Sequence, residues 1–237
     1  MHVRFFYDEL RSMMTEEARI QTDNTDWKMV AITCDDGANY SNSPLALTNF
    51  RRAGVRVTYF TVGESIERNP DILMREFDQN HIIACHTYSH RSGYALKEET
   101  RRQEVEKHAG IMASIVGEPP AFFRAPGGTY PPWIETGVGM PVIQWTVDTY
   151  DYTGKSPKRI FYSIRNNVQD GDIILMHDTG NYLYKAIPLF TEYLRENGYM
   201  MVTVEELARA NGVTMEPDTV YYRFFEGQTD VREDSNV

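Results

Sequence analysis

A chain of 237 residues with 41% apolar content carries enough hydrophobic material for a sizeable core, which excludes disorder along its length. Its 34 acids outnumber 24 Lys and Arg, for a formal charge of −10, and no basic tract or basic helix face stands out. Nucleic acid is therefore excluded as a natural partner, while neutral small molecules and glycans stay open. Cys34 and Cys85 allow at most one bridge and form no metal pair, so they read as two free buried thiols.

The opening MHVRFFYDELRSMM lacks the basic-then-apolar order of a signal peptide. Residues 1–27 read as a mixed, polar leader with a short helix near Asp8–Ile20, packed on the body that follows. From Lys28 a rhythm begins. KMVAITC is a compact β-type run, and SPLALTNFRRAG has helical spacing with Gly54 in the stop position. VRVTYFTV reads as a strand, ESIERNPDILMREFDQN as a helix broken ahead of Pro70, and HIIACHT as the third strand. LKEETRRQEVEKHAGIMASIVG is a long helix ending at Gly117.

The alternation then continues through AFFRAP and the short PPWIETGV, and through MPVIQWTV and SPKRIFYSIRNNVQDG. It closes with DIILMHD and YKAIPLFTEYLRENG, then MMVTV and EELARANG. Several strands are apolar on successive residues, as parallel strands covered on both sides must be. Seven strand-then-helix units suit a barrel or a doubly wound sheet, and a barrel, irregular for having one unit fewer than usual, is the better fit. The domain therefore spans 28–212. Residues 213–237 break the rhythm and end polar, as a partly frayed tail. No run is long and apolar enough for a membrane span. The oligomeric state is not legible.

Titratable residues collect where strands end. Asp35 and Asp36 follow the first, His86 and His90 the third, and Arg124 the fourth; Asp148 and Asp151 follow the fifth, and His177 and Asp178 end the sixth. In a parallel α/β barrel those ends form one rim, so five segments deliver charge to one mouth. If HTYSH turns helical after its strand, His86 and His90 share a face and can bind one metal. A divalent cation held by both and one carboxylate keeps a position open for water. It also relieves the repulsion between adjacent acids, leaving the second free to act as a base. His81 and His108 lie away from the rim, and His2 lies in the leader, so none is given a role.

Together these residues resemble the polysaccharide deacetylases with a NodB-homology domain, carbohydrate esterase family four. TCDDG matches that family's T-F-D-D-G, HTYSH its H-[ST]-x-x-H, RAPGG its R-x-P-Y, DTYDY its D-x-x-D-W, and ILMHD its [IL]-[LVM]-x-H-D, in order. The resemblance implies an irregular (β/α)7 barrel of the NodB-homology type. It also implies one divalent ion, zinc by family habit with cobalt or another ion able to serve, held by Asp36, His86 and His90. Asp35 would be the base on the water that the ion carries, paired with Arg124, which keeps it charged. His177 would protonate the leaving group, with Asp151 orienting it, and the N–H of Gly127 would serve the oxyanion. Leu175 would line the acetyl pocket and Tyr152 would cover the site.

Three positions depart from the family pattern: Cys34 for Phe, Gly127 for Tyr and Tyr152 for Trp. The implied activity is deacetylation of N-acetylglucosamine units in an acetylated glycan or oligosaccharide, peptidoglycan or a chitin-type oligomer. The alternatives are an O-acetyl xylan esterase, a non-catalytic carbohydrate-binding relative, or a metal hydrolase of a small amide. The expected location is extracellular or at the cell surface if a signal segment has been removed, and cytoplasmic otherwise.

Overall fold

The computed structural model describes residues 27–91, 97–128, 137–154, 156–225 and 228–229. The helix expected near Asp8–Ile20 and most of PPWIETGV lie outside these residues. In chain order the elements are β1 (Lys28–Asp35), α1 (Ser43–Ala53), β2 (Thr58–Thr61), α2 (Gly63–Arg68), α3 (Pro70–Asp78), β3 (Ile82–Cys85) and α4 (Glu98–Val116). Then follow β4 (Val142–Ile143), β5 (Val147–Asp148), α5 (Pro157–Asn167), β6 (Ile173–His177), α6 (Leu183–Glu196), β7 (Tyr199–Val202) and α7 (Val204–Ala210). Short strands β8 (Val220–Tyr221), β9 (Phe224–Phe225) and β10 (Gln228–Thr229) complete the chain. Local chemistry sets these bounds. Pro70 opens α3 and so parts it from α2, and Thr203 and Glu206 start α7 with a reciprocal capping box.

The strands lie side by side in the order β3-β2-β1-β6-β5, with β7 beside the first half of β1, and every pair is parallel. Phe123 extends the ring by bridging Cys85 on one side and Val142 on the other, and β4 in turn pairs with β8. AFFRAP is thus a single bridging residue rather than the strand its composition suggests. Prolines at 119, 120 and 126 confine the extended stretch, and proline cannot donate to a ladder. MPVIQWTV is likewise two short strands, because the chain changes neighbours within it. The Gln144 N–H donates to Tyr221 O at 2.7 Å, and the Thr146 N–H to Ile173 O at 3.1 Å.

Strand alternation sorts the side chains into two layers. Met29, Ala31, Phe60, Ile143, Ile173 and Val202 pack inside the barrel. Val30, Ile32, Cys34, Ile174 and Met176 pack outward, under helices that contribute Leu47, Phe50, Phe190 and Leu194. Each such side chain fully removed from water stabilises the fold by about 1.5–3 kcal/mol, so these layers hold the barrel while its mouth is left free for polar groups. Cys34 and Cys85 are free and buried, as their number suggests.

The outward layer contains an unusual polar cluster. Glu76, Asp178 and Tyr59 are fully buried, and among the described residues neither the Glu76 carboxylate nor the Tyr59 hydroxyl has a hydrogen-bond partner. Burial, reinforced by the field of Asp178, pushes the Glu76 carboxyl well above its ordinary range. An unfolded chain ionises Glu76 near its ordinary value while the fold keeps it protonated, so stability falls as pH rises above that value. Glu76→Gln is expected to match or exceed the wild type in denaturant midpoint at about pH 8 and to lose part of the gain on acidification to about pH 5. Parallel urea titrations at both pH values check this, and an unchanged difference between them would refute the protonated Glu76.

Candidate active site

The β1–β6 register pairs Thr33 with Leu175 and Asp35 with His177, so all four side chains turn to the same face at the C-terminal end of the barrel. Alternation would send Asp36 the other way. It points into the same mouth because its φ of 73° breaks the strand and re-aims the side chain. Gly37 follows with no room for a side chain, since a Cβ there would lie 2.9 Å from Asp178 Oδ2. Asp178 itself, one residue past His177, faces the opposite layer and is fully buried beside the Gly37 turn.

His86 and His90 do not share a helix face. The chain from Thr87 to His90 is a bent loop in which Thr87 (φ 65°) and His90 (φ 55°) both take left-handed conformations. The Thr87 hydroxyl accepts the His90 N–H at 3.1 Å. Glu104 of α4 accepts the Ser89 N–H and hydroxyl at 2.6 and 2.8 Å. This pinned loop brings the two rings to 5.0 Å between centroids, so the pairing expected from helical spacing is achieved by loop geometry.

The donor set suits a divalent ion. Asp36 Oδ1 lies 3.6 Å from His86 Nε2 and 3.1 Å from His90 Nε2. Ligand atoms of the three residues all lie within 4.8 Å of one another. His86 Nδ1 is 2.8 Å from Arg124 O, which can only accept, so the proton sits on Nδ1 and the Nε2 lone pair faces the cluster. Burial pushes the His86 pKa down against the pull of Asp35 and Asp36, which favours the neutral, ligating form. Burial opposes charge on Asp36 too, but the hydrogen bond from His90 and the fields of the histidines win, holding it at about 2.

Asp35 is held by Arg124, which is fully buried. Arg124 Nη1 donates to Asp35 Oδ1 at 2.7 Å and to Thr33 Oγ1 at 2.9 Å. Its Nε donates to Ile143 O at 2.8 Å and its Nη2 to Gln144 O at 3.2 Å. The guanidinium lies 4.0 Å from the Phe60 ring and 5.5 Å from that of Trp145. Thr33, Gln144 and Trp145 escaped sequence reasoning, because none is titratable. The available signal for Thr33 was its place two residues before Asp35, hence on the same strand face.

Across the mouth, Asp151 accepts the His177 N–H on Oδ2 at 2.6 Å and the Nδ1–H on Oδ1 at 2.8 Å. Burial opposes the imidazolium, but the hydrogen bond to Asp151 and the fields of Asp35 and Asp36 overcome it, raising His177 to about 9. Tyr152 stands edge-on to His177 with ring centroids 5.5 Å apart. Asp148 steadies this loop by accepting the Tyr150 N–H at 2.7 Å. Leu175 is buried yet belongs to none of the apolar clusters, consistent with its side chain standing under the mouth.

Gly127 follows Pro126 in a one-turn segment, exposed and with φ 69°. The Trp145 ring occupies the space a side chain at Gly128 would need. His81 and His108 are structural: His81 Nδ1 accepts the Val57 N–H at 3.0 Å, His108 Nε2 lies 3.0 Å from the Thr61 hydroxyl, and burial lowers both to about 4. Among the described residues no helix is long and apolar enough to cross a membrane.

Comparison with known proteins follows the same lines. The family model for polysaccharide deacetylase matches residues 22–137. The chain is 31% identical over 186 residues to a peptidoglycan-N-acetylglucosamine deacetylase of Bacillus cereus, covering 75% of this chain and 67% of that protein. It is 28% identical over 180 residues to the peptidoglycan-N-acetylglucosamine deacetylase PgdA of Listeria monocytogenes. That match covers 76% of this chain and 39% of PgdA, so the chain spans about two fifths of that relative's length. The Xyl-CE4 domain of a multidomain xylanase from the hindgut metagenome of Trinervitermes trinervoides has the same fold. Its TM-score is 0.79 at 27% identity, over 84% of this chain and 98% of that domain.

Proposed function

The chain belongs to the polysaccharide deacetylase family, carbohydrate esterase family four, and on that footing we propose that it hydrolyses acetyl groups from N-acetylglucosamine units of a glycan, peptidoglycan or a chitin-type oligomer. The observation that carries this reading is the meeting of two units at one mouth. One is the Asp36, His86 and His90 donor set beside Arg124-bound Asp35; the other is the Asp151–His177 pair. A divalent ion on those three donors, zinc by preference with cobalt able to substitute, would supply Lewis-acid polarisation of the acyl carbonyl and of the attacking water.

The protein's own groups do the rest. Asp35 takes a proton from the water, held in place by Arg124. With Nδ1 committed to Asp151, His177 has only Nε2 to offer the departing nitrogen, and its raised pKa keeps a proton there to give. The N–H of Gly127 donates to the developing oxyanion, Leu175 lines the acetyl pocket and Tyr152 shields the site. Residues 28–212 are the catalytic domain, flanked by the leader and the tail. A wall-type glycan as substrate places the enzyme at or outside the cell surface.

A second reading, an O-acetyl xylan esterase, rests on the likeness to the xylanase-borne domain. Acetate release measured side by side on chitooligosaccharides, peptidoglycan and acetylated xylan separates the two. Release from the N-acetylated substrates, abolished by EDTA and restored by zinc, is expected. Release from xylan alone favours the esterase. Undiminished release from metal-free protein would end the proposed chemistry altogether.

A further inference from the structure

Among the described residues four large aromatic side chains are strongly exposed, and three of them, all but Tyr40, lie together. Tyr150, Tyr152 and Tyr162 are 47%, 59% and 48% exposed, and they form one path leading away from the mouth. From His177 the path steps 5.5 Å to the Tyr152 ring, 6.1 Å on to the Tyr150 ring, and 6.0 Å from there to the Arg159 guanidinium. Beyond Tyr150 it opens into a groove of about 520 Å³ along α5.

Helical spacing builds the wall of this groove. Ile160 and Ile164 anchor α5 in the core, and Lys158, Arg159, Tyr162, Asn166 and Asn167 follow the other side in steps of three and four. From 158 to 167 that side runs about 13 Å, room for more than one sugar ring. Tyr150 forms the opposite side and is presented by construction: its φ is 52°, and its N–H is fixed by Asp148 at 2.7 Å. Flat rings with amides and cations beside them are what a polyhydroxylated chain requires, since a sugar stacks its apolar face and hydrogen-bonds its rim. The charge is the discriminating feature. In a chain of formal charge −10, this groove is lined by Lys158 and Arg159 and by no acid among the described residues.

We propose that the α5 groove is a distal subsite for an anionic glycan strand. Its sugars carry carboxylate-bearing substituents that engage Lys158 and Arg159 while a sugar ring rests on Tyr162, and the same strand reaches the catalytic mouth over Tyr150 and Tyr152. The inference rests on the deacetylase reading above and narrows it, favouring a carboxylate-bearing wall glycan over neutral chitin.

The test compares wild type, the double variant Lys158→Ala/Arg159→Ala and Tyr162→Ala, each zinc-loaded, in acetate release. Three substrates are used: soluble peptidoglycan strands retaining their carboxylates, chitooligosaccharides of equal length, and the N-acetylglucosamine dimer. The double variant should lose roughly three- to tenfold in kcat/KM on the peptidoglycan strand, through KM. Added salt should erase the wild type's advantage there. Tyr162→Ala should lower kcat/KM on both long substrates, and every variant should match wild type on the dimer. An equal loss on the neutral oligomer in the double variant, or no loss on the anionic strand, overturns the subsite. Calorimetric titration of the same strands into the same proteins reads the groove without turnover. If no substrate is deacetylated but only wild type binds the anionic strand, the catalytic reading fails and the subsite stands; equal binding by wild type and double variant removes the subsite.

Discussion

Asp35→Asn is expected to lower kcat for acetate release by about a hundredfold to ten-thousandfold while leaving the bound divalent metal at its wild-type stoichiometry. The substitution changes little in shape. An amide oxygen can still accept from Arg124 Nη1, 2.7 Å from the present Oδ1, and Asp36, His86 and His90 are untouched. What disappears is a group able to take a proton from the attacking water. Metal analysis, circular dichroism and turnover on one preparation separate the possibilities. A loss of metal along with rate would mean that Asp35 is a ligand. A rate within tenfold of wild type would remove it from the role of base.

Arg124→Met is expected to produce the largest loss of stability of any single change at the site, about 3–5 kcal/mol, along with loss of turnover. Arg124 is fully buried and donates to Asp35, to Thr33 and to the carbonyls of Ile143 and Gln144. Its removal strands Asp35, itself 3% exposed, in the barrel interior without a countercharge. A stability of about 5–15 kcal/mol, usual for a domain, leaves little margin for that. Lysine is no remedy, because a point charge cannot reproduce the fork that reaches four acceptors. The double variant Asp35→Asn/Arg124→Met should regain part of the loss, since the orphaned charge has gone as well. Urea unfolding of the two singles and the double reads this directly, and an Arg124→Met variant within about 1 kcal/mol of wild type would contradict the pairing.

Much of this was legible in the sequence, for identifiable reasons. The apolar strands and capped helices show as period and punctuation, and their alternation made the barrel legible before any contact was known. The charged residues at strand ends were legible because parallel barrels gather such ends on one rim. The means of assembly was not. His86 and His90 meet through two left-handed loop residues, Thr87 and His90, and Asp36 is turned into the mouth by its own φ; the sequence pattern does not mark where the chain takes these conformations. Trp145 against Gly128, and Thr33 beneath Arg124, depend on long-range packing that periodicity does not carry. The break at Gln144–Thr146 reflects a change of neighbour from β8 to β6, invisible in an unbroken apolar run.

The two-sided strand ends make this site intolerant in a particular way. Cys34 and Asp178 lie in the dry layer under the helices, while their immediate neighbours Asp35 and His177 face the mouth. Losing or gaining one residue in β1 or β6 would therefore exchange environments rather than shift the chemistry slightly: a thiol would enter the mouth and a catalytic carboxylate would be driven into the dry layer beside the buried acids Glu76 and Asp178. Length variation in this barrel should accordingly be confined to its loops. The spacing between its strand ends can drift freely, whereas the reading frame within each strand cannot.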